Sequence, residues 1–178
     1  MKIRCDLHVN GGNKKLLLVA GPSETEDHLA LKLAAFLMFW EQDPIINPSV
    51  KTPFLASYEF LPDLIALDAG GDCKLWVECG TATMHKMTKL TRRLPNARIV
   101  VLKENERGAV RLRADVAELF KDQPDRAEKV EIWAWQGGSF KDWARALGEK
   151  TEVYGEAGEL SINAVVNDTP VAVDFKTY

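Results

Sequence analysis

Asp63 and Glu78 bracket a segment whose spacing sets two carboxylates face to face. Leu64-Ile65-Ala66-Leu67 and Lys74-Leu75-Trp76-Val77 are short apolar runs, and Ala69-Gly70-Gly71-Asp72 lies between them. A Gly-Gly pair supplies the positive φ that hairpin turns need. A loop closing at Gly70-Gly71, or a symmetric four-residue loop, puts Asp63 opposite Glu78 at the strand ends. Directly opposed Cβ atoms lie about 4.5–5.5 Å apart, and like charges there repel. A divalent cation is the simplest offset, because Mg²⁺ and Mn²⁺ take oxygen ligands. The same register places Ile65, Trp76, Leu67 and Lys74 on the carboxylates' face. The bland reading is that both carboxylates are solvated at a sheet margin.

Other groups could join such a site. Glu24 and Glu26 fall on the first turn of a helix, where acids are favoured by the dipole. Glu26 also has capping-box spacing from Ser23; Glu24 has no such structural role. Lys86, Lys89 and Arg93 recur at i, i+3, i+7 after Glu78, on one helix face. A cation there could neutralise a phosphate or orient a water; it could equally be a solvated basic face. Residues 85–113 hold nine Lys/Arg against two acids, a local excess that suits a phosphate footprint. His28 and His85 stand alone, and Cys5, Cys73 and Cys79 lack zinc spacing. Cys79 alternates to the face opposite Glu78 and reads as core, as do Trp133 and Trp135. There is no P-loop and no G-x-G-x-x-G, and neither Ser23 nor Ser139 sits in a nucleophile elbow.

The elements that must carry these residues follow from the pattern. Lys2–Val9 alternates, Asn10-Gly11-Gly12-Asn13 turns, and Leu16–Val19 returns, giving an N-terminal hairpin. A helix opened by Ser23 runs to about Trp40 and is apolar on most sides. Residues 43–53, with Pro44, Pro48 and Pro53, form a loop, and 54–61 are ambiguous. Strand 73–79, helix 82–93 and strand 97–102 make a βαβ unit with parallel pairing. Asp115–Lys121 and Ser139–Leu147 read as helices and Val130–Trp135 as a strand. Glu152–Gly155, Glu159–Val166 and Val171–Phe175 read as antiparallel strands joined at Gly158 and Asn167-Asp168. One mixed α/β (α+β) domain over residues 1–178 is the economical reading.

Composition bounds the rest. The chain has 178 residues, 46% hydrophobic and 28% charged, with a net charge of −3, which argues against an indiscriminate nucleic-acid binder. No apolar run is long enough to span a membrane, and Met1–Asp6 has no signal-peptide pattern. Three cysteines do not make a disulfide framework, so a reducing cytoplasm is expected.

The order of these residues resembles the PD-(D/E)XK nuclease-like superfamily and, more narrowly, the YaeQ family. Pro22-Ser23-Glu24-Thr25 with its apolar helix, Pro62-Asp63-Leu64, and Leu75-Trp76-Val77-Glu78-Cys79-Gly80 followed by Lys89 carry the resemblance. It implies a central mixed sheet flanked by helices, a restriction-endonuclease-like core, and a site for Mg²⁺ or Mn²⁺. Asp63 and Glu78 match the metal-binding acids and Glu24 the acid from the first helix. The superfamily lysine falls at Gly80, so the chain departs from the pattern there. Lys89 is the better match for a lysine supplied by the next helix, with Lys86 one turn earlier.

Three functions are expected from this reading. The first is a metal-dependent nuclease in which Asp63, Glu78 and Glu24 hold the metal and Lys86 or Lys89 stabilises developing charge. Lys86, Lys89, Arg92 and Arg93 would meet the nucleic acid. The second is a catalytically inactive nuclease fold that binds nucleic acid or regulates. The third is a protein-interaction module using the tryptophan-bearing C-terminal half.

Overall fold

Alternation and turn chemistry build most of the sheet directly. In the computed structural model, which describes residues 1–137 and 140–178, β1 (Lys2–Val9) and β2 (Gly12–Val19) pair antiparallel through the Asn10-Gly11 turn. Both turn residues have positive φ, 52° and 76°, the conformation of a two-residue hairpin turn that Asn-Gly favours. At the other end of the chain, β8 (Lys150–Gly158), β9 (Ser161–Val166) and β10 (Thr169–Thr177) form an antiparallel meander. Its last turn, Asn167-Asp168, also has positive φ at both residues. β1 pairs β8 in parallel, a long-range contact that no local pattern announces.

α1 (Glu26–Met38) follows the first hairpin. Every residue from Leu29 to Met38 is buried, so the helix is held by packing all round rather than by one apolar stripe. Its N-cap is Thr25, whose hydroxyl accepts the His28 amide. This corrects the expected Ser23–Glu26 box and places Glu24 just before the helix instead of on its first turn. The proline-rich loop contains the two-residue β3 (Ile45–Ile46), and the ambiguous stretch is a 3₁₀ turn over Pro53–Ser57.

β4 (Leu64–Leu67) and β5 (Cys73–Cys79) form the expected hairpin. Leu64 pairs Val77, Ile65 pairs Trp76 and Ala66 pairs Leu75, the register that opposes Asp63 to Glu78. The turn differs from expectation. The register shifts after Ala66, so Leu67 pairs Cys73 rather than Lys74. The Asp68 carboxylate accepts the Gly70 and Asp72 amides and closes a longer loop.

α2 (Met84–Arg93) crosses to β6 (Arg98–Lys103), which pairs β5 in parallel as the βαβ pattern requires. α3 (Glu106–Leu119) begins earlier than the expected Asp115, because Asn105 caps it by accepting the Gly108 amide. α4 (Pro124–Glu128), β7 (Val130–Trp135) and α5 (Phe140–Ala146) complete the order. Ser139 lies outside the described residues.

The ten strands among the described residues join one mixed sheet in the order β2-β1-β8-β9-β10-β7-β6-β5-β4-β3. Two apolar cores cover its faces. One gathers α1 and α5 with Leu64, Val77 and Cys79; the other gathers α2 and α3 with Ile65, Trp76 and Val101. The Trp143 indole donates to the Ala30 carbonyl at 2.9 Å, fastening α5 to α1. No described helix is long and apolar enough to cross a membrane.

Candidate functional site

The end of the β4–β5 hairpin splits its carboxylates between the two faces of the sheet. Glu78 follows the strand alternation onto the α2 face. Its Oε1 accepts the Trp76 indole N–H at 2.7 Å and its Oε2 the Lys86 ammonium at 2.8 Å. Asp63 stands one residue before β4 and turns its carboxylate toward α1. Its Oδ2 accepts the Cys79 amide at 2.7 Å, while its Oδ1 lies 2.9 Å from Lys32 Nζ and 3.2 Å from His28 Nε2. The Glu24 carboxylate completes this side. It accepts the Gly21 amide at 2.8 Å through Oε2 and the Lys32 ammonium through Oε1. His28 Nδ1 lies 3.8 Å from the same Oε1.

Asp63 and Glu24 are thereby brought together, and Glu78 belongs to a second cluster. One ligand atom each from Glu24, His28 and Asp63 lie within 4.8 Å of one another, the one such group of three metal-binding side chains among the described residues. Two unit charges at about 4.8 Å repel by roughly 3–4 kcal/mol at an effective dielectric near 20, so the Glu24–Asp63 pair requires a cation beside it. Lys32 supplies one. Only 2% exposed in the otherwise apolar run from Leu29 to Met38, it donates to Glu24, pairs with Asp63 and donates to Asn47 Oδ1 at 2.6 Å.

These contacts set the protonation states. Burial pushes the Asp63 and Glu24 carboxyls up, but His28, the Lys32 ammonium and the backbone amides outweigh it and hold both below their usual range. Burial likewise pushes the Lys32 ammonium down, and the Asp63 and Glu24 charges outweigh that, leaving it raised. For Glu78 burial wins. Its carboxyl stays above the usual value despite Lys86 and Trp76, and the Asp63 charge adds to the rise.

Gly80 has φ +77°, in the left-handed region that a side-chain-bearing residue adopts only with strain. The cations near Glu78 come from elsewhere. Lys86 meets Glu78 directly, whereas Lys89 pairs with exposed Glu59 at 3.0 Å. Arg93 donates to the Ser57 carbonyl and hydroxyl and packs over the Tyr58 ring. Most of the basic face of α2 is therefore engaged by the 3₁₀ turn and its flanks. Arg92 remains exposed.

A cleft of about 550 Å³ opens onto the α1 side, with Glu24, Lys32, Asn47 and Asp63 at its polar end and Leu17, Val19 and Leu61 among its apolar walls. Neither Glu78 nor Lys86 lines it. His28 and Lys32 were not among the candidates from sequence. The signal available was Glu24–His28–Lys32 at intervals of four, a spacing that aligns side chains along one edge of a helix, although Glu24 itself stands just before α1.

A family model described as YaeQ protein matches residues 8–153. No curated protein matches the chain. Among solved structures, the chain is similar to the YaeQ protein from Xanthomonas axonopodis pv. citri, with a TM-score of 0.72 and 17% identity over 99% of this chain and 96% of that one. It is also similar to the YaeQ protein from Pseudomonas syringae, with a TM-score of 0.69 and 13% identity over 99% and 94%. At such identities the likeness is one of fold, a mixed sheet with flanking helices.

Proposed function

Given that this chain belongs to the YaeQ family, we propose that it is a divalent-metal-dependent phosphodiesterase of PD-(D/E)XK nuclease type, acting on nucleic acid. The observation that carries the reading is the convergence of Glu24, His28 and Asp63, two of which, Glu24 and Asp63, line the polar end of an open cleft. The donor set fits the ion. Two carboxylates and an imidazole suit Mn²⁺ well, and the carboxylates alone suit Mg²⁺. Bound there, the ion would lower the pKa of a coordinated water and polarise a phosphoryl oxygen.

The protein's own residues have separable tasks. Asp63 is anchored by the Cys79 amide, so one carboxylate oxygen is fixed while the other faces the cluster. Glu24 is anchored in the same way by the Gly21 amide. His28 spans the two acids from the first turn of α1. Glu78 stands behind the hairpin end as a buried charge balanced by Lys86. Lys89 is held by an exposed ion pair, which a phosphate can displace at little cost; with Arg92 it offers the nucleic acid a cationic contact.

End-labelled single- and double-stranded DNA and RNA, incubated with the protein in Mn²⁺ and in Mg²⁺, test the reading. Metal-dependent cleavage of one of them, reduced by about a hundredfold in Asp63→Asn, is expected. Cleavage of none, or undiminished cleavage by a folded Asp63→Asn variant, contradicts it. A non-catalytic nucleic-acid-binding or regulatory module is the second reading, supported by Gly80 at the motif lysine and by Lys32 already seated between the acids. It expects metal-free binding that weakens steeply with salt and survives Asp63→Asn.

A further inference from the structure

Lys32 is the one charged residue in the buried run of α1, whose neighbours from Leu29 to Met38 are all apolar. A charge so placed is unfavourable unless its partners are well arranged. Here three oxygens meet one ammonium: Glu24 Oε1, Asp63 Oδ1 at 2.9 Å and Asn47 Oδ1 at 2.6 Å. Glu24 Oε1 and Asp63 Oδ1 are also the oxygens that His28 approaches. The ammonium thus occupies the same two carboxylate oxygens that a divalent ion would use. Asn47, in a left-handed backbone conformation with φ 47°, holds the third corner. Its side-chain carbonyl oxygen accepts from the ammonium.

We propose that Lys32 is the resident cation of the Glu24–His28–Asp63 site and that a divalent ion competes with its ammonium for Glu24 and Asp63. This rests on the reading of the cluster as a metal site and adds to it a rule for occupancy. With Lys32 in place, the two acids carry a net charge of −1 rather than −2, which lowers the attraction for a free divalent ion. The lysine keeps the acids together without metal, and Asn47 gives the displaced ammonium a partner at the cleft. Lys32 therefore acts as a positioning residue for both acids, and it disfavours loading until a substrate phosphate adds ligands.

The test is Mn²⁺ binding by calorimetry on the full chain, comparing wild type with Lys32→Met, Lys32→Arg and Lys86→Met. Lys32→Met keeps the length and apolar stem but removes the competitor, so its Mn²⁺ affinity is expected to rise by about tenfold or more. Lys32→Arg, which keeps the charge, and Lys86→Met, which removes one on the far face, are expected to stay within about threefold of wild type. Equal affinity in wild type and folded Lys32→Met overturns the competition while leaving the metal site standing. No saturable binding in either overturns both. If Lys32→Met does not fold, ¹³C-lysine NMR of the wild type with Mg²⁺ reads the same event. Displacement moves the Lys32 ε-carbon resonance as the His28 ring shifts report loading, and a Lys32 signal that stays fixed at saturation contradicts the proposal.

Discussion

The Cys79 amide donates to the Asp63 carboxylate at 2.7 Å, so the acid that precedes β4 is tied to the last residue of β5. The bond fixes one oxygen, which leaves the other pointed at Lys32 and His28. It also explains why Asp63 and Glu78, opposed in register, do not share a ligand: the first is turned toward α1 and the second remains under α2.

Removing Asp63 should therefore cost stability as well as function. Asp63→Ala leaves the buried Lys32 with Glu24 and Asn47 and orphans the Cys79 amide. A loss of about 2–4 kcal/mol is expected, read as a lower urea midpoint. Asp63→Asn retains an acceptor for the amide and should lose less. Equal midpoints for wild type and Asp63→Ala would show that the network contributes nothing to folding.

Lys86 and Lys89 should separate sharply. Lys86→Met leaves the 3% exposed Glu78 with only the Trp76 indole, and a drop of about 2–3 kcal/mol is expected from the uncompensated buried carboxylate. Lys89→Ala breaks an exposed pair with Glu59 and should leave the urea midpoint unchanged within error. Its effect should instead be seen as a weaker salt dependence of oligonucleotide binding. The reverse ranking in stability would mean that the two contacts are misassigned.

The acids should respond to pH with opposite signs. Asp63 and Glu24 are held below their ordinary values, so the unfolded chain binds their protons more readily. Their contribution is complete above about pH 4–5 and is lost as pH falls through the lowered folded values. Glu78 is held up by burial, so the folded state keeps its proton longer. Its contribution is complete below about pH 4 and is lost as pH rises. Urea midpoints from pH 3 to pH 7 should show the wild-type advantage over Asp63→Asn shrinking toward acid. Over the same span the midpoint of Glu78→Gln should gain on wild type as pH rises. Constant offsets for both variants would contradict the assigned environments.

The helix start gives a smaller, local test. Thr25→Ala removes the hydroxyl that accepts the His28 amide and should cost about 1 kcal/mol. Ser23→Ala should change stability by less than about 0.5 kcal/mol, as surface substitutions do. Because His28 sits on the capped turn, the Thr25 variant should also weaken Mn²⁺ binding.

The legible and illegible parts of the chain divide along physical lines. The β4–β5 register was readable because alternation fixes which residues face each other, and the shifted turn did not alter pairing at the Asp63 end. The βαβ unit and the C-terminal meander were readable for the same reason. The cap moved from Ser23 to Thr25 because both residues carry the right hydroxyl and only the path of the chain decides between them. Lys32 reads in sequence as a break in an apolar run. Its meaning depends on Asn47 and Asp63, which long-range packing brings beside it. His28 looked isolated for that reason too. The engagement of Lys89 and Arg93 could not be foreseen either, since Glu59 and Ser57 lie in the stretch that had no clear pattern.

The most direct measurement is calorimetric Mn²⁺ titration of wild type beside Asp63→Ala, Glu24→Gln and Glu78→Gln. One saturable site is expected in wild type, lost in Asp63→Ala and Glu24→Gln and kept in Glu78→Gln, since the first two acids share a cluster with His28 and the third does not. Absence of binding in wild type and Lys32→Met alike, or a site that disappears with Glu78 while surviving the loss of Glu24, would contradict the assignment.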